Sequence, residues 1–438
     1  MKRLRHSWPL VLCMSASTWL PLHAETVAAQ HAAPYAAPHA APFAPSAGAW
    51  IAALPPADHV QRWLSTHPQV RAAQAGIDLA TAQAQRLQAG PHEWTLKAGL
   101  QQRSAEGSTA RLREHDLAIE RGLRWPHKKA QDQQLGELLQ SESRAALEDA
   151  RHETARSLLL DWFELLKVRA TAQRLNAQLA LAQQQLAGVR QRVKAGEVAQ
   201  LDLLAAQAEQ SRTQALASQA AHRGQVLQRQ WTTRYPELAA PDTAALPSPQ
   251  PPDDDAPTWV DRIMVHNHEL ALAQLRAQTA QALAERQQQE RRADPLLGVR
   301  NAHERNGAER VWGVYISLPI GGSARQAQAA IAQAEAEQAR QRLTLTERDV
   351  RAKAQEVASA AFDTQTTWQQ LQHASAQTRR SADLQWRAYT LGESSLADVL
   401  QARRLAQEDA QAAENAQLSA LYSQARLQLD AHRLWPED

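Results

Sequence analysis

The sequence predicts a mainly α-helical, internally duplicated chain with a small β part. Three observations carry this reading. Among 438 residues only 5% are aromatic and 16 are glycine, against an abundance of Ala, Gln, Arg, Leu and Glu, the composition of long helices. Two distant stretches share one pattern, "KAGEVAQLDLLAAQ" from Lys194 and "TLGESSLADVLQAR" from Thr390; Gly196 and Gly392 stand 196 residues apart, as do Asp202 and Asp398. Between the helical runs lie two pairs of short segments in which apolar and polar residues alternate.

At the start, Lys2, Arg3 and Arg5 precede a short apolar run, "WPLVLCMSASTWLPL", and Ala24 offers a small residue for cleavage. Residues 1–24 are therefore predicted to be an export signal. The run is too short and too interrupted to span a bilayer. Cys13, the only cysteine, lies inside it, and bulky Leu12 before it argues against lipid attachment. Removing Lys2, Arg3 and Arg5 from 48 basic residues leaves 45 against 46 acidic ones, and no basic cluster with interleaved aromatics occurs. Nucleic acid is not a predicted partner. Residues 25–57 read as an extended Ala/Pro linker, with "AAPYAAPHAAPFAP" repeating a proline-containing unit. His31 and His39 within it are expected to be solvated.

From Asp58 the chain can be laid on itself. "VQRWLSTHPQV" from Val60 parallels "VDRIMVHNHEL" from Val260, and "LAIERGL" from Leu117 parallels "VYISLPI" from Val314. Two repeats, 58–240 and 258–438, are expected, joined by a Pro/Asp linker over 241–257. Each repeat begins with a helical pattern (Val60–Ala89; Trp259–Arg292) that stops near Pro91 or Pro295. After the alternating segments comes a very long run, Pro126–Lys194 or Ala324–Thr390, then the Gly-Glu turn, then a helix of about 35 residues. At 1.5 Å per residue the long helix spans roughly 100 Å. The two shorter helices together match it, so they are expected to stack end to end alongside it, as a column in a bundle or tube.

The alternating segments put Trp94, Leu96, Ala98 and Leu100 on one face, with Leu117 and Ile119 outside and Glu120 opposite. In the second copy Trp312, Val314, Ile316 and Leu318 oppose Val311, Gly313, Tyr315 and Ser317, while "LLGVRNAH" from Leu296 is the weakest of the four. Polar loops, Arg103–Arg111 and Glu304–Arg310, join each pair into a β-hairpin. Exported strands of this length and pattern fit a membrane barrel. Four strands cannot close one, since about eight are needed, but three chains would give twelve. A small sheet capping a coiled coil fits the pattern as well.

No HExxH, Walker loop, GxSxG or CxxC occurs, so no catalytic residue and no cofactor is predicted. His266 and His268 of "HNHE" lie two apart, which on one helix aims them at different faces, and "HERNGAER" from His303 crosses a loop. No metal site is predicted.

The duplicated halves, the hairpins between helices, "SLPIGGSARQAQAAIAQAEAEQAR" from Ser317 and "YTLGESSLADVLQARRLAQ" from Tyr389 resemble the TolC family of outer-membrane efflux proteins over everything after residue 57. "GLRWPHKKAQ" from Gly122 resembles the start of the long helix in the heavy-metal branch. The resemblance implies a homotrimer: a twelve-stranded β-barrel, four strands per chain, continued by an α-helical periplasmic tunnel. It further implies a passive duct in outer-membrane lipid, served by a periplasmic adaptor and an inner-membrane pump of RND type, with heavy-metal cations as cargo. Multidrug or solvent efflux and type I secretion are the alternatives within the family. A periplasmic adaptor or a structural coiled coil is the reading from another class. The resemblance also places Gly196, Asp202, Tyr389, Gly392, Ser394 and Asp398 at the periplasmic tip, with Tyr389 and Asp398 matching residues that close and line the aperture. Ser394 stands where the multidrug members carry arginine and Gln401 where they carry a second aspartate, which implies a different closing network. From spacing alone, Gly196 and Gly392 fit the position after a helix end. Ser395 and Asp398 fit a capping box, for which Ala199 leaves no counterpart in the first copy.

Overall fold

The computed structural model describes residues 49–104, 111–243 and 246–435, all within the compact unit Phe43–Asp438. The predicted signal with Cys13 and Ala24, the linker histidines His31 and His39, and loop residues 105–110 lie outside the described residues.

Helices α1 (Ala57–Thr66) and α2 (Pro68–Ala89) lead into strands β1 (Trp94–Ser104) and β2 (Arg111–Gly122). The long α3 (Pro126–Lys194) and α4 (Gln200–Arg234) follow. The same order then returns as α5 (Ala256–Val265), α6 (His268–Gln289), β3 (Leu296–Glu304), β4 (Glu309–Ser317), α7 (Ser323–Thr390) and α8 (Leu396–Asp430). Each leading helix is therefore broken, where the sequence suggested one continuous run. In the first copy Pro68 excludes a helical His67, whose ψ is 133°. In the second, the Asn267 side chain accepts from the Leu270 N–H and starts a new helix.

The two shorter columns lie along each long helix. Ala84 of α2 sits so close to Gly136 of α3 that a Cβ there would meet the alanine Cβ at 3.0 Å. Farther along, Asp161 of α3 takes Arg234 from the end of α4. In the second copy Ala284 of α6 packs on Ala332 and Ala336, while Ala416 and Ala420 of α8 pack on Trp368. The small residues that dilute any apolar moment in these helices are what let them approach closely.

The main core forms where these columns meet end to end. Trp63, Leu158, Trp162, Phe163, Trp231, Leu421 and Trp435 are all buried there. The last residues of the predicted 25–57 linker belong to it: Ala49–Ala53 form a 3-10 turn, Trp50 and Leu54 are buried, and the Trp162 indole N–H donates to the Ala53 carbonyl at 2.7 Å. Their apolar side chains gain more from burial than an extended linker could keep. Of the predicted 241–257 linker, residues 246–250 are strapped across α8 through Gln417, which donates to the Pro247 carbonyl at 3.0 Å, and Gln424, which accepts from the Gln250 N–H at 3.1 Å.

Candidate functional site

The four strands form one antiparallel sheet in the order β1-β2-β3-β4. Register places Leu96 beside Ile119, Ile119 beside Val299 and Val299 beside Val314 in one row. Ala98, Leu117, Asn301 and Trp312 form the next row, and Ile316 stands beside Leu297. Trp94, Leu96, Leu100, Leu117, Ile119, Trp312, Val314, Ile316 and Leu318 are all exposed, Leu100 to 90%. Leu297 and Val299 join this face, although β3 alternates too weakly for its sequence to declare them.

The opposite face is polar and knitted across strands. Lys97 pairs with Glu120 at 2.6 Å, the Tyr315 hydroxyl donates to Glu120 at 2.6 Å, and Arg103 reaches Glu114 at 3.1 Å. Pairing runs to Ser104 and resumes at Arg111, so both ends of the predicted Arg103–Arg111 loop belong to the strands. Among the described residues β1 and β4 are the edges of this sheet, with no strand paired beyond them.

Below the sheet a buried ion cluster fixes the hairpins to the helices. Arg124 clasps Asp132 with two bonds of 2.8 and 2.9 Å and also contacts Glu290 and Asp294. Lys128, fully buried, reaches Glu290 and Asp294 at 3.0 Å each. His92 meets Asp294 at 2.8 Å. Burial raises the Asp294 carboxyl, but hydrogen bonds from His92, Lys128 and Arg124 bring it down to about 2. Arg124 and Lys128 belong to the "GLRWPHKKAQ" stretch, and here their charges are consumed within the joint.

At the far end of α3 and α7 the two Gly-Glu turns lie side by side. Gly196 (φ 74°) and Gly392 (φ 82°) are both left-handed, with Glu197 N–H donating to the Arg192 carbonyl and Glu393 N–H to the Ala388 carbonyl at 2.9 Å each. This is the pattern of a helix closed by glycine. Ser395 Oγ accepts from the Asp398 N–H at 3.2 Å while the Asp398 carboxylate accepts from the Ser395 N–H at 3.4 Å, a complete capping box. Ala199 makes no such bond.

Val189, Ala206, Tyr389, Leu396 and Val399 cluster beneath both turns. Tyr389 is buried in this cluster, under the Arg192 guanidinium at 5.0 Å from its ring, and does not stand out from the tip. Ser394 accepts from Gln385 at 2.5 Å, a tie that an arginine there could not make. Asp398 is exposed and Asp202 half-buried. The structure thus gathers the tip residues at one end and the apolar strand residues at the other, with the length of α3 between them. Among the described residues no group of three or more His, Cys, Asp or Glu is arranged to hold a metal ion, and no helix is long and apolar enough to cross a membrane.

No protein-family model and no curated protein matches the sequence. Solved structures do. The outer membrane protein VceC from Vibrio cholerae superposes with a TM-score of 0.71 at 17% identity, over 89% of this chain and 98% of that one. The CmeC outer membrane channel of Campylobacter jejuni gives 0.69 at 14% identity, over 86% and 84%. CusC, whose structures describe transmembrane channel formation, gives 0.68 at 16% identity, over 87% and 92%. The chain has the fold of these channels: a four-stranded sheet carried on a long duplicated helical body.

Proposed function

We propose that this protein is an outer-membrane exit duct of the TolC family. Three chains close a twelve-stranded barrel and continue it as a helical tunnel into the periplasm. The single observation that carries this is the open sheet, with a bare apolar outer face, a knitted polar inner face and two unpaired edges, set at one end of helices roughly 100 Å long. The chain conducts passively, without catalysis. A periplasmic adaptor docks near the Gly196 and Gly392 turns, and an inner-membrane pump of RND type delivers the cargo. Exposed Leu201 and Leu391 at these turns suit such contacts. Asp398 and Asp202 line the aperture as carboxylates. Asp398→Asn should keep the assembly and change its resting conductance; unchanged conductance and antibiotic leak would remove Asp398 from the pore.

For the cargo we infer heavy-metal cations, on the resemblance of residues 122–131 alone. Growth of a strain lacking the chain across graded zinc, cobalt, cadmium, copper, dyes and detergents tests this. Sensitivity confined to metal ions supports a dedicated metal pump, and broad sensitivity to dyes and detergents replaces it with a multidrug duct. A periplasmic adaptor or structural coiled coil gives no reason for the apolar sheet face.

A further inference from the structure

Strand register sorts the charges of the sheet between its two faces. The carboxylates of the strands, Glu114, Asp116, Glu120, Glu304 and Glu309, all stand on the polar face. Cations of that face and of the β3–β4 turn take them: Arg103 reaches Glu114, Arg300 lies 3.7 Å from Asp116, Lys97 holds Glu120, and Arg305 meets Glu309 at 3.0 Å. Among the described residues the apolar face has no carboxylate to oppose a cation.

Cations nevertheless stand on that face, gathered at the end farthest from the helices. Leu100, His115, His303 and Arg310 form one row, Gln102 and Arg113 the next, and Ser104 and Arg111 the last. Arg111, Arg113, Arg310 and His115 are exposed. His115 and His303 stack at 4.7 Å between ring centroids, and Asn306 Oδ1 accepts from the Arg113 N–H at 2.7 Å, which pins the β3–β4 turn beside this band.

The depth of the band matches the edge of the hydrocarbon. From exposed Leu123, just past the other end of β2, to Arg113 is ten residues. At about 3.4 Å per residue and a tilt of about 40°, that is roughly 26 Å along the membrane normal, against an apolar band about 25 Å tall in outer-membrane barrels. The arginines therefore begin where hydrocarbon ends. Arg121 falls inside the apolar zone and is covered instead: its guanidinium lies 5.4 Å from the Trp94 ring centroid, and its Nε–H donates to the His92 carbonyl at 3.2 Å.

We propose that Arg111, Arg113 and Arg310 bind the phosphate groups of the glycolipid that fills the outer leaflet, with its acyl chains lying along the apolar face below. The inference rests on the outer-membrane reading, which sets the hairpin ends outside. Guanidinium forks match phosphate oxygens in pairs. A headgroup with two phosphates can engage β2 and β4 together, since two strand spacings are about 10 Å. A free phosphate ion has no acyl chains to use the apolar face. The lopsided charge of the face also selects the leaflet, because Arg121 at the helix end already has its partners.

The test titrates the full chain, assembled in detergent, with bis-phosphorylated lipid A, its phosphate-free form and phosphatidylglycerol, and counts bound lipid by native mass spectrometry. Lipid A should bind saturably, at least tenfold more tightly than either of the others, and less tightly as salt rises. Arg113→Gln/Arg310→Gln should assemble as the natural chain does, because both side chains are exposed, yet bind lipid A at least tenfold more weakly. Arg113→Lys/Arg310→Lys, which keeps the charge without the fork, should fall between. Lys129→Gln, at an exposed cation of α3, should bind as the natural chain does. Equal binding of lipid A and its phosphate-free form overturns the proposal and leaves the duct reading intact. So does lipid A binding that survives the double glutamine exchange. A chain that never enters the outer membrane overturns both.

Discussion

Val314→Arg places a charge near the middle of the apolar sheet face. β4 has nine residues, and Val314 is one past its centre, 73% exposed in the row Leu96–Ile119–Val299–Val314. If that face meets lipid, arginine at this depth costs about 2–4 kcal/mol per chain, or about 6–12 kcal/mol per trimer with three copies. If it meets water, the change stays within about 0.5 kcal/mol, because the valine is already exposed. Val311→Arg is the control: the same exchange in the same strand, but on the polar face. The assay is the guanidinium midpoint of the assembled protein in lipid vesicles, read beside the assembled band on unheated gels. Val314→Arg should lower the midpoint and the assembled fraction sharply, and Val311→Arg should change either little. Equal behaviour of the two variants would refute the lipid-facing assignment.

At the tip, Ser395→Ala removes the capping box and should cost about 1 kcal/mol of local stability, seen as faster amide exchange in the first turn of α8, whereas Ala199→Ser should slow exchange at the start of α4. Gly392→Ala meets no atom within 4 Å, so its cost of about 1–2 kcal/mol is purely the left-handed backbone, and a thermal melt of the variant measures it. Tyr389→Ala empties a buried site and should cost about 3 kcal/mol, so any leak it causes must be compared with its lost stability. Asp294 titrates near 2 when folded against an ordinary 3.8, so its stabilisation is fully present above about pH 4 and is lost as pH falls through 2. That amounts to roughly 1–2 kcal/mol, and acid denaturation of Asp294→Asn should lack this component.

Pattern made the long elements legible. The run from Pro126 to Lys194 is bounded by a proline that opens a helix and a glycine that closes one, and α3 fills it end to end. The alternating strands declared their faces wherever large apolar residues stood at every second position, as in "VWGVYIS". They failed to do so in "LLGVRNAH", where Asn301 interrupts the row and only pairing with β2 assigns Leu297 and Val299. The helix breaks at His67–Pro68 and at Asn267 carried a local signal, a proline and a capping side chain, that the apolar periodicity on either side overrode. Trp50 and Leu54 were masked by the Ala/Pro stretch before them, and only the core shows where they go. Tyr389 was legible as a tip residue, but its burial under Arg192 depends on the packing of two turns 196 residues apart.

The central claim is that the bare edges of β1 and β4 pair with those of neighbouring chains in the outer membrane. The most direct test is native mass spectrometry of the full chain extracted by detergent from separated inner and outer membranes. Three chains released together from the outer-membrane fraction is the predicted result; a single chain, or a species recovered without detergent from the soluble fraction, would contradict it.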